Sequence, residues 1–180
     1  MGFINKDQMI ANEYIKMSRA YLDYLEEHIE NIRLAFDEVS RACDGMAWVG
    51  DDFTWHMLRD EVCMHDVSKF YAKEFVQYRM RFYPIRGEVV SDEDFDRAWK
   101  HHFLQNNHHW ESIERGVDGD AVPGRVEANI VHMIVDWTAM GYKFGDTAQA
   151  YFEANKKKIQ IDEKWIPFMY EVFNRIGRKR

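Results

Sequence analysis

Apolar residues recur every three or four positions along most of the chain, which is the spacing of a helix with one buried face. The spacing holds from about Gln8 to Val39 and predicts one long first helix. It resumes from about Asp52, a suitable N-cap, to Phe70 and predicts a second helical segment. A third helix is predicted from about Ala72 to Phe82, because Pro84 disfavours helical backbone in the residue before it.

The second half of the chain keeps this spacing between loops rich in glycine and charged residues. Ser91-Asp92-Glu93-Asp94 resembles a capping box and predicts the start of a helix with Phe95 and Trp99 on its apolar face. Loops are predicted at 86–90 and Gly116–Gly124, and further helices from about Arg125 to Met140, Thr147 to Lys158 and Asp162 to Ile176. No stretch alternates apolar and polar residues as a strand would, so the sequence predicts an all-α fold, a compact bundle of six or seven helices.

Length and charge narrow the class of protein. At 180 residues the chain fits one domain spanning 1–180, with a sizeable core. The net charge of −7 disfavours a general nucleic-acid binder. No apolar run approaches the roughly 18 residues of a membrane span, and the N-terminus lacks the apolar core of a signal peptide, so we expect a cytoplasmic protein. The two cysteines, Cys43 and Cys63, are expected to be reduced thiols.

Ionisable side chains interrupt the apolar faces of several predicted helices. His28 lies on the stripe of Leu25 and Ile32 in the first helix, rather than on its polar face. The doublet His65-Asp66 stands in the apolar stretch "VCMHDVSKF" of the second helical segment. Because an unpaired charge in an apolar environment is costly, each of these groups needs a partner.

Four of the eight histidines fall in the segment "HHFLQNNHHW", at positions 101–110. His102 follows Trp99 by three residues and shares its face, whereas His101 points about 100° away. If the helix persists, His109 returns to nearly the same face seven residues after His102. The spacing favours His102 and His109 over His101 and His108 without deciding between the two pairs.

Asp136 interrupts the apolar helix predicted after residue 124, between Met133 and Met140. A buried carboxylate in that setting needs a cation, a histidine or a metal ion. A bound metal is the simplest joint explanation for inward-facing histidines and aspartates on separate helices. Mixed histidine and aspartate ligands suit iron, manganese, zinc, cobalt or nickel better than calcium, and two cysteines are too few for a cysteine-rich zinc site.

The order of these residues resembles the HD-domain superfamily of metal-dependent phosphohydrolases, in its version with six ligands and two metals. "HDVSK" at 65–69 is similar to the "HDIGK" type of segment in that superfamily, with serine in place of glycine. The resemblance implies that His65 binds one metal and that Asp66 bridges both. It also implies the remaining ligands: His28 and Asp136 for the first metal, and His102 with His109 for the second.

The block "FDRAWKHHFLQNNHHWE…MIVDW…KFG" is also similar to a family of uncharacterised small proteins of phages and bacteria. This second resemblance covers most of the chain but implies no activity. Those relatives often carry glutamate at the position four residues before the aspartate, which is His132 here. The sequence leaves the role of His132 open.

The function predicted from the resemblance is phosphoester hydrolysis with two divalent metals, on a nucleotide or another small phosphorylated molecule. Asp66 and Lys69 are the predicted catalytic residues, and Lys69, Lys143 and Trp110 are the predicted substrate-binding residues. One alternative is a mixed-valent diiron oxygenase, because some HD-fold proteins with this ligand set resemble such enzymes. Another is a non-catalytic binding protein that a metal stabilises. The oligomeric state is left open.

Overall fold

The computed structural model describes residues 6–46, 52–114 and 123–177, and within these ranges the chain is helical without any strand. The described residues form the helices α1 (Lys6–Cys43), α2 (Asp52–Cys63), α3 (Ala72–Phe82), α4 (Asp92–Gln105), α5 (Arg125–Phe144), α6 (Ala148–Asn155) and α7 (Ile166–Gly177). This confirms the all-α fold class. Among the described helices, none is both long enough and apolar enough to cross a membrane, and the cytoplasmic location stays a prediction.

The second predicted helical segment is interrupted at the His65-Asp66 doublet. Helix α2 ends at Cys63, and a separate short 3₁₀ helix covers Val67–Phe70. Asp66 between them has a φ of 60°, in the left-handed region. A right-handed helix cannot continue through that conformation, which aspartate adopts more readily than most side chains. The prediction of one helix through the doublet was therefore wrong.

Most other boundaries lie close to the predicted positions. The hydroxyl of Ser91 accepts a hydrogen bond of 3.0 Å from the backbone N–H of Asp94, which confirms the cap of α4. Helix α5 runs past Met140 to Phe144 and ends where Gly145 takes a φ of 73°. The helix predicted from Asp162 begins instead as a 3₁₀ turn at Glu163–Trp165. Residues 116–122 of the predicted loop lie outside the described residues.

The chain divides into two compact units, and the first comprises Met1–Glu27 and Asp66–Gln105. It contains the first part of α1, the short 3₁₀ helix, α3 and α4. Its core is aromatic, with Tyr21, Leu25, Tyr78 and Ala98 buried and rings such as Phe75 and Trp99 packed around them. Since aromatic residues bury large apolar areas, this small unit has a core of its own.

The second unit comprises His28–His65 and Asn106–Arg180. Helix α5 provides much of its core, with thirteen buried residues that include Asn129 and His132. Apolar residues of α1, α2, α6 and α7 complete the same cluster. A helix that is buried on nearly all sides places its few polar residues among other side chains rather than in water. The prediction of a single domain is not tested by this division and stays a prediction.

Candidate metal centre

Five ionisable side chains meet in the second unit, supplied by four separate parts of the chain. His28 lies on α1, His65 follows the end of α2, and His108 lies between α4 and α5. His132 and Asp136 lie on α5 four residues apart, so one turn of helix separates them. Side chains so distant in the sequence come together only through the tertiary fold.

Two histidines and one aspartate form the tightest group in this cluster. The Nε2 atoms of His28 and His65 are 3.1 Å apart. Oδ1 of Asp136 lies 3.3 Å from Nε2 of His28 and 3.7 Å from Nε2 of His65. Both histidines are buried, and the Asp136 side chain is only 17% exposed. Three atoms that can bind a metal therefore lie within 3.7 Å of one another.

The surroundings of Asp136 favour its ionised form. Burial by itself would raise the pKa of this carboxyl. Two effects more than offset burial: a hydrogen bond from His28, and the electrostatic effect of the nearby rings of His28, His65 and His108. Together they hold the pKa of Asp136 far below its usual range. The side chain is therefore an anionic oxygen donor among imidazoles.

A second group in the same unit consists of imidazoles alone. Nδ1 of His65 lies 3.0 Å from Nε2 of His132. The His108 ring stacks on His65 with centroids 4.1 Å apart, and its centroid lies 4.7 Å from that of His132. Each of these three buried histidines offers one ligand atom, and the three atoms lie within 4.8 Å of one another.

Buried hydrogen bonds fix the segment that carries His108. The Ser112 hydroxyl donates to the backbone carbonyl of Asn106 at 2.7 Å, and the Ser112 N–H donates to the carbonyl of His109 at 2.9 Å. The Asn129 side chain on α5 donates to the carbonyl of Ile113 at 2.8 Å. These contacts tie the segment to the helix that carries His132, so the position of His108 does not depend on a flexible loop.

The first unit holds a separate network around a fully buried carboxylate, Glu74 on α3. Nδ1 of His102 donates to Oε2 of Glu74 at 2.8 Å, and the Ser68 hydroxyl donates to the same oxygen at 2.9 Å. Nδ1 of His101 donates to the other oxygen at 2.5 Å. On the far side of the His102 ring, Nε2 lies 3.3 Å from Oδ1 of Asp66. A histidine whose Nδ1 is held by a carboxylate has its Nε2 fixed in direction, as in many metal sites.

Charges in this network reinforce one another. Burial alone would lower the pKa of His102, but the carboxylates of Asp66 and Glu74 raise it above its ordinary value. Burial would raise the pKa of Glu74, whereas hydrogen bonds from His102, His101 and Ser68 lower it. Nζ of Lys69 lies 2.5 Å from Oδ2 of Asp66. Each buried charge of the network therefore has an opposite charge beside it.

Replacing Glu74 with glutamine is expected to lower the free energy of unfolding by about 1.5–3 kcal/mol, because two charge-assisted hydrogen bonds from histidines lose their anionic acceptor. Ser68→Ala is the matched control, since it removes the hydroxyl contacts with Glu74 and His102 but leaves both histidine bonds to Glu74, and it should cost about 1 kcal/mol. Urea unfolding of the two variants measures both values. A glutamine variant as stable as the alanine control would contradict this account of Glu74.

The predicted site residues divide between the two units. His28, His65 and Asp136 come together in the second unit, as the resemblance implied for one metal. Asp66 and His102 are neighbours in the first. Within each unit, the structure brings the members of that unit's set close to one another. The assignment of all six predicted ligands to one two-metal centre stays a prediction.

The remaining predicted residues lie outside the two sets described for the units. The His109 ring lies beside His108, with centroids 4.3 Å apart, and its role as a ligand stays a prediction. Trp110 is partly buried against the apolar core of the second unit. Lys143 is exposed near the end of α5, about 10 Å along the helix axis from Asp136. The predicted substrate-binding roles of Lys69, Lys143 and Trp110 stay predictions.

The sequence left His108 as an alternative ligand and the role of His132 open, and it gave no role to Glu74, although the structure places all three in these groups. His108 and His132 belong to the all-imidazole group, and Glu74 is the centre of the first unit's network. His132 did carry a signal, because it precedes Asp136 by one helical turn and must share its face. Glu74 carried none, since an acidic residue in the first turn of a helix is expected at the surface.

The donor set in the second unit fits a divalent transition metal. His28 and His65 are nitrogen donors that bind metals in their neutral form, and Asp136 supplies a compensating negative charge. Two histidines with one carboxylate are a familiar ligand set for non-haem iron and also suit manganese, zinc, cobalt and nickel. The residues present therefore fit the metal that the sequence predicted.

Comparison with known proteins gives a family but no activity. No curated protein and no solved structure matches the chain. Residues 17–175 match the profile of a family of unknown function, DUF5662. Since the match covers most of the sequence, the chain belongs to the DUF5662 family of unknown function.

Proposed function

We propose that this protein is a metal-dependent phosphohydrolase that acts on a nucleotide or another small phosphoester, with a metal held by His28, His65 and Asp136. The convergence of these three side chains supports the proposal, because their ligand atoms lie within 3.7 Å although they come from three distant parts of the chain. It is the arrangement implied for one metal by the resemblance to HD-domain phosphohydrolases. Membership of DUF5662 is compatible with this activity and names none.

The roles of the chain's own residues follow from their contacts. A bound divalent metal would supply Lewis acidity, which lowers the pKa of water and polarises a phosphoryl oxygen. In the metal-free chain Asp136 accepts a hydrogen bond from His28, and the same side chains would hold the metal, while burial shields both groups from bulk water. In the reaction a water oxygen bonds to phosphorus, the bond from phosphorus to the ester oxygen breaks, and a proton ends on the released alcohol.

The proposal is tested on one preparation of the full chain. Its metal content is measured by mass spectrometry, and the chain is then stripped of metal with a chelator. The stripped chain is assayed with manganese, cobalt, nickel, zinc or iron(II) against p-nitrophenyl phosphate, bis-p-nitrophenyl phosphate and a panel of nucleotides. We expect turnover of at least one phosphoester only when a metal is restored. A folded, metal-loaded chain without activity on the whole panel would overturn the proposal.

A second candidate function is an HD-fold mixed-valent diiron oxygenase, in which the two-histidine, one-carboxylate group would hold one of the two irons. Anaerobic purification with iron, followed by exposure to air and electron paramagnetic resonance, separates it from the hydrolase. A mixed-valent diiron signal with oxygen consumption would support the oxygenase. A colourless manganese- or nickel-loaded chain that hydrolyses a phosphoester would exclude it. A metal that raises the melting temperature without any turnover would instead support the third prediction, a metal-stabilised binding protein.

A further inference from the structure

We propose a second metal site in the second unit, formed by His65, His108 and His132, which binds a divalent transition metal through imidazoles alone. The site goes beyond the proposed function, because it uses two residues outside the group that holds the proposed catalytic metal. Its existence does not depend on any turnover of a phosphoester.

Geometry is the first support for this site. The three ligand atoms lie within 4.8 Å of one another, and all three side chains are buried. The three histidines come from separate parts of the chain: His65 follows α2, His108 lies between α4 and α5, and His132 lies on α5. Residues 67 positions apart, His65 and His132, bring ring nitrogens to 3.0 Å. Local helical periodicity cannot produce such a convergence, so the tertiary fold builds it.

The His65 ring relates the proposed site to the first group. Its Nε2 atom faces His28 and Asp136, whereas its Nδ1 atom faces His132. Because the two nitrogens lie on different edges of the ring, the two groups lie on different sides of His65. The imidazole group is therefore a separate set of donors that shares His65 with the first group. A neutral His65 ring carries one N–H, so it can bind only one of the two metals at a time.

Rigid support is the second argument. A metal site binds tightly when the surrounding structure fixes its ligands before the metal arrives. His108 is held by the hydrogen bonds of Ser112 and Asn129 described above, and His132 lies within the buried part of α5. The ligands are thus positioned by the core of the second unit rather than by exposed chain.

The ligand chemistry indicates the class of metal. Three neutral imidazoles suit zinc, nickel and copper, which bind nitrogen donors strongly, better than magnesium or calcium, which prefer oxygen. The group contains no carboxylate, but Asp136 lies 3.7 Å from the His65 ring and can offset part of the added positive charge. Zinc is the natural probe, since it accepts four-coordinate sites with three histidines.

The test uses the full chain with Asp136→Asn, which removes the carboxylate of the first group. Calorimetric titration of this metal-free variant with zinc is expected to retain a site whose affinity depends on His132 and His108. Adding His132→Gln or His108→Gln should weaken that site by at least about 10-fold, because each removes one of its three ligands. His56→Gln is the matched control, since His56 is exposed on α2 and should leave the affinity unchanged. Zinc affinity that is unaffected by the His132 and His108 substitutions would overturn the proposal.

A second measurement needs no substituted variant, so its result does not depend on how a variant folds. In the unaltered chain, nitrogen-15 spectra of the imidazoles are recorded before and after addition of zinc. The ring signals of His108 and His132 are expected to shift, while that of His56 stays in place. Unshifted His108 and His132 signals at saturating zinc would overturn the second site. Neither experiment measures hydrolysis. A failure of the proposed function is detected in the substrate panel, whereas a failure of the second site is detected in these zinc-binding experiments.

Discussion

Replacing Asp136 with asparagine is expected to reduce metal-dependent phosphoester hydrolysis by roughly 100-fold or more. The amide has the shape of the carboxylate but lacks its negative charge, so the group with His28 and His65 loses the anionic donor that Asp136 supplies. Removing a side chain that only supports a metal ligand typically lowers activity by about 10- to 100-fold. Asp136 is itself a proposed ligand, so we expect its replacement to cost at least the upper end of that range.

The measurement is kcat/KM for the best phosphoester of the panel, at saturating metal, together with metal bound per chain. Asp60→Asn is the control, because Asp60 is an exposed carboxylate on α2 and its removal should leave both values unchanged. A variant that keeps the metal and hydrolyses within about 3-fold of the unaltered chain would show that Asp136 is no metal ligand. The hydrolytic metal would then have to be held elsewhere.

The sequence was most informative where function and helical periodicity coincide. His28 could be predicted to be buried because Leu25 and Ile32 flank it at helical spacing, and it is buried in the structure. The same argument placed Asp136 on an apolar face of α5, where the structure brings it to His28. A polar residue on an apolar helical face is thus a signal that one sequence can carry.

Periodicity was less informative where the backbone leaves the helix. The left-handed conformation of Asp66 ends the helical segment, so the helical faces assumed beyond Cys63 do not apply to the doublet. His108 lies after α4 has ended, and counting residues from His102 could not predict its direction. Its place in the imidazole group depends on hydrogen bonds of Ser112 and Asn129, which are tertiary contacts.

Replacing Glu88 with glutamine is expected to lower the free energy of unfolding by about 3–5 kcal/mol, the cost of leaving a buried charge without its partner. The Arg79 side chain on α3 is fully buried, and its guanidinium donates two hydrogen bonds to the carboxylate of Glu88. It also donates to the carbonyl of Tyr83 at 3.2 Å and lies over the Tyr14 ring. These contacts remain in the variant but cannot neutralise the guanidinium.

Two comparisons isolate the buried charge as the cause. The pair of Arg81 and Asp92 is exposed and only 3.2 Å apart, so Asp92→Asn should cost less than about 1 kcal/mol. Adding Arg79→Met to Glu88→Gln removes the unpaired charge and should recover at least about 1 kcal/mol of the loss. If the double variant is less stable than Glu88→Gln alone, the ion pair does not explain the effect.

The pH dependence of unfolding gives an independent check on the same pair. Hydrogen bonds from Arg79 hold the pKa of Glu88 below its usual value in the folded chain. The stabilisation is therefore complete above the unfolded pKa of about 4.3 and is lost as the pH falls through the lower folded pKa. Urea unfolding of the unaltered chain and of Glu88→Gln, between pH 7 and pH 3, should show a difference in stability that is constant above about pH 5 and shrinks below it. A difference that stays constant over the whole range would mean that the ionisation of Glu88 does not stabilise the fold.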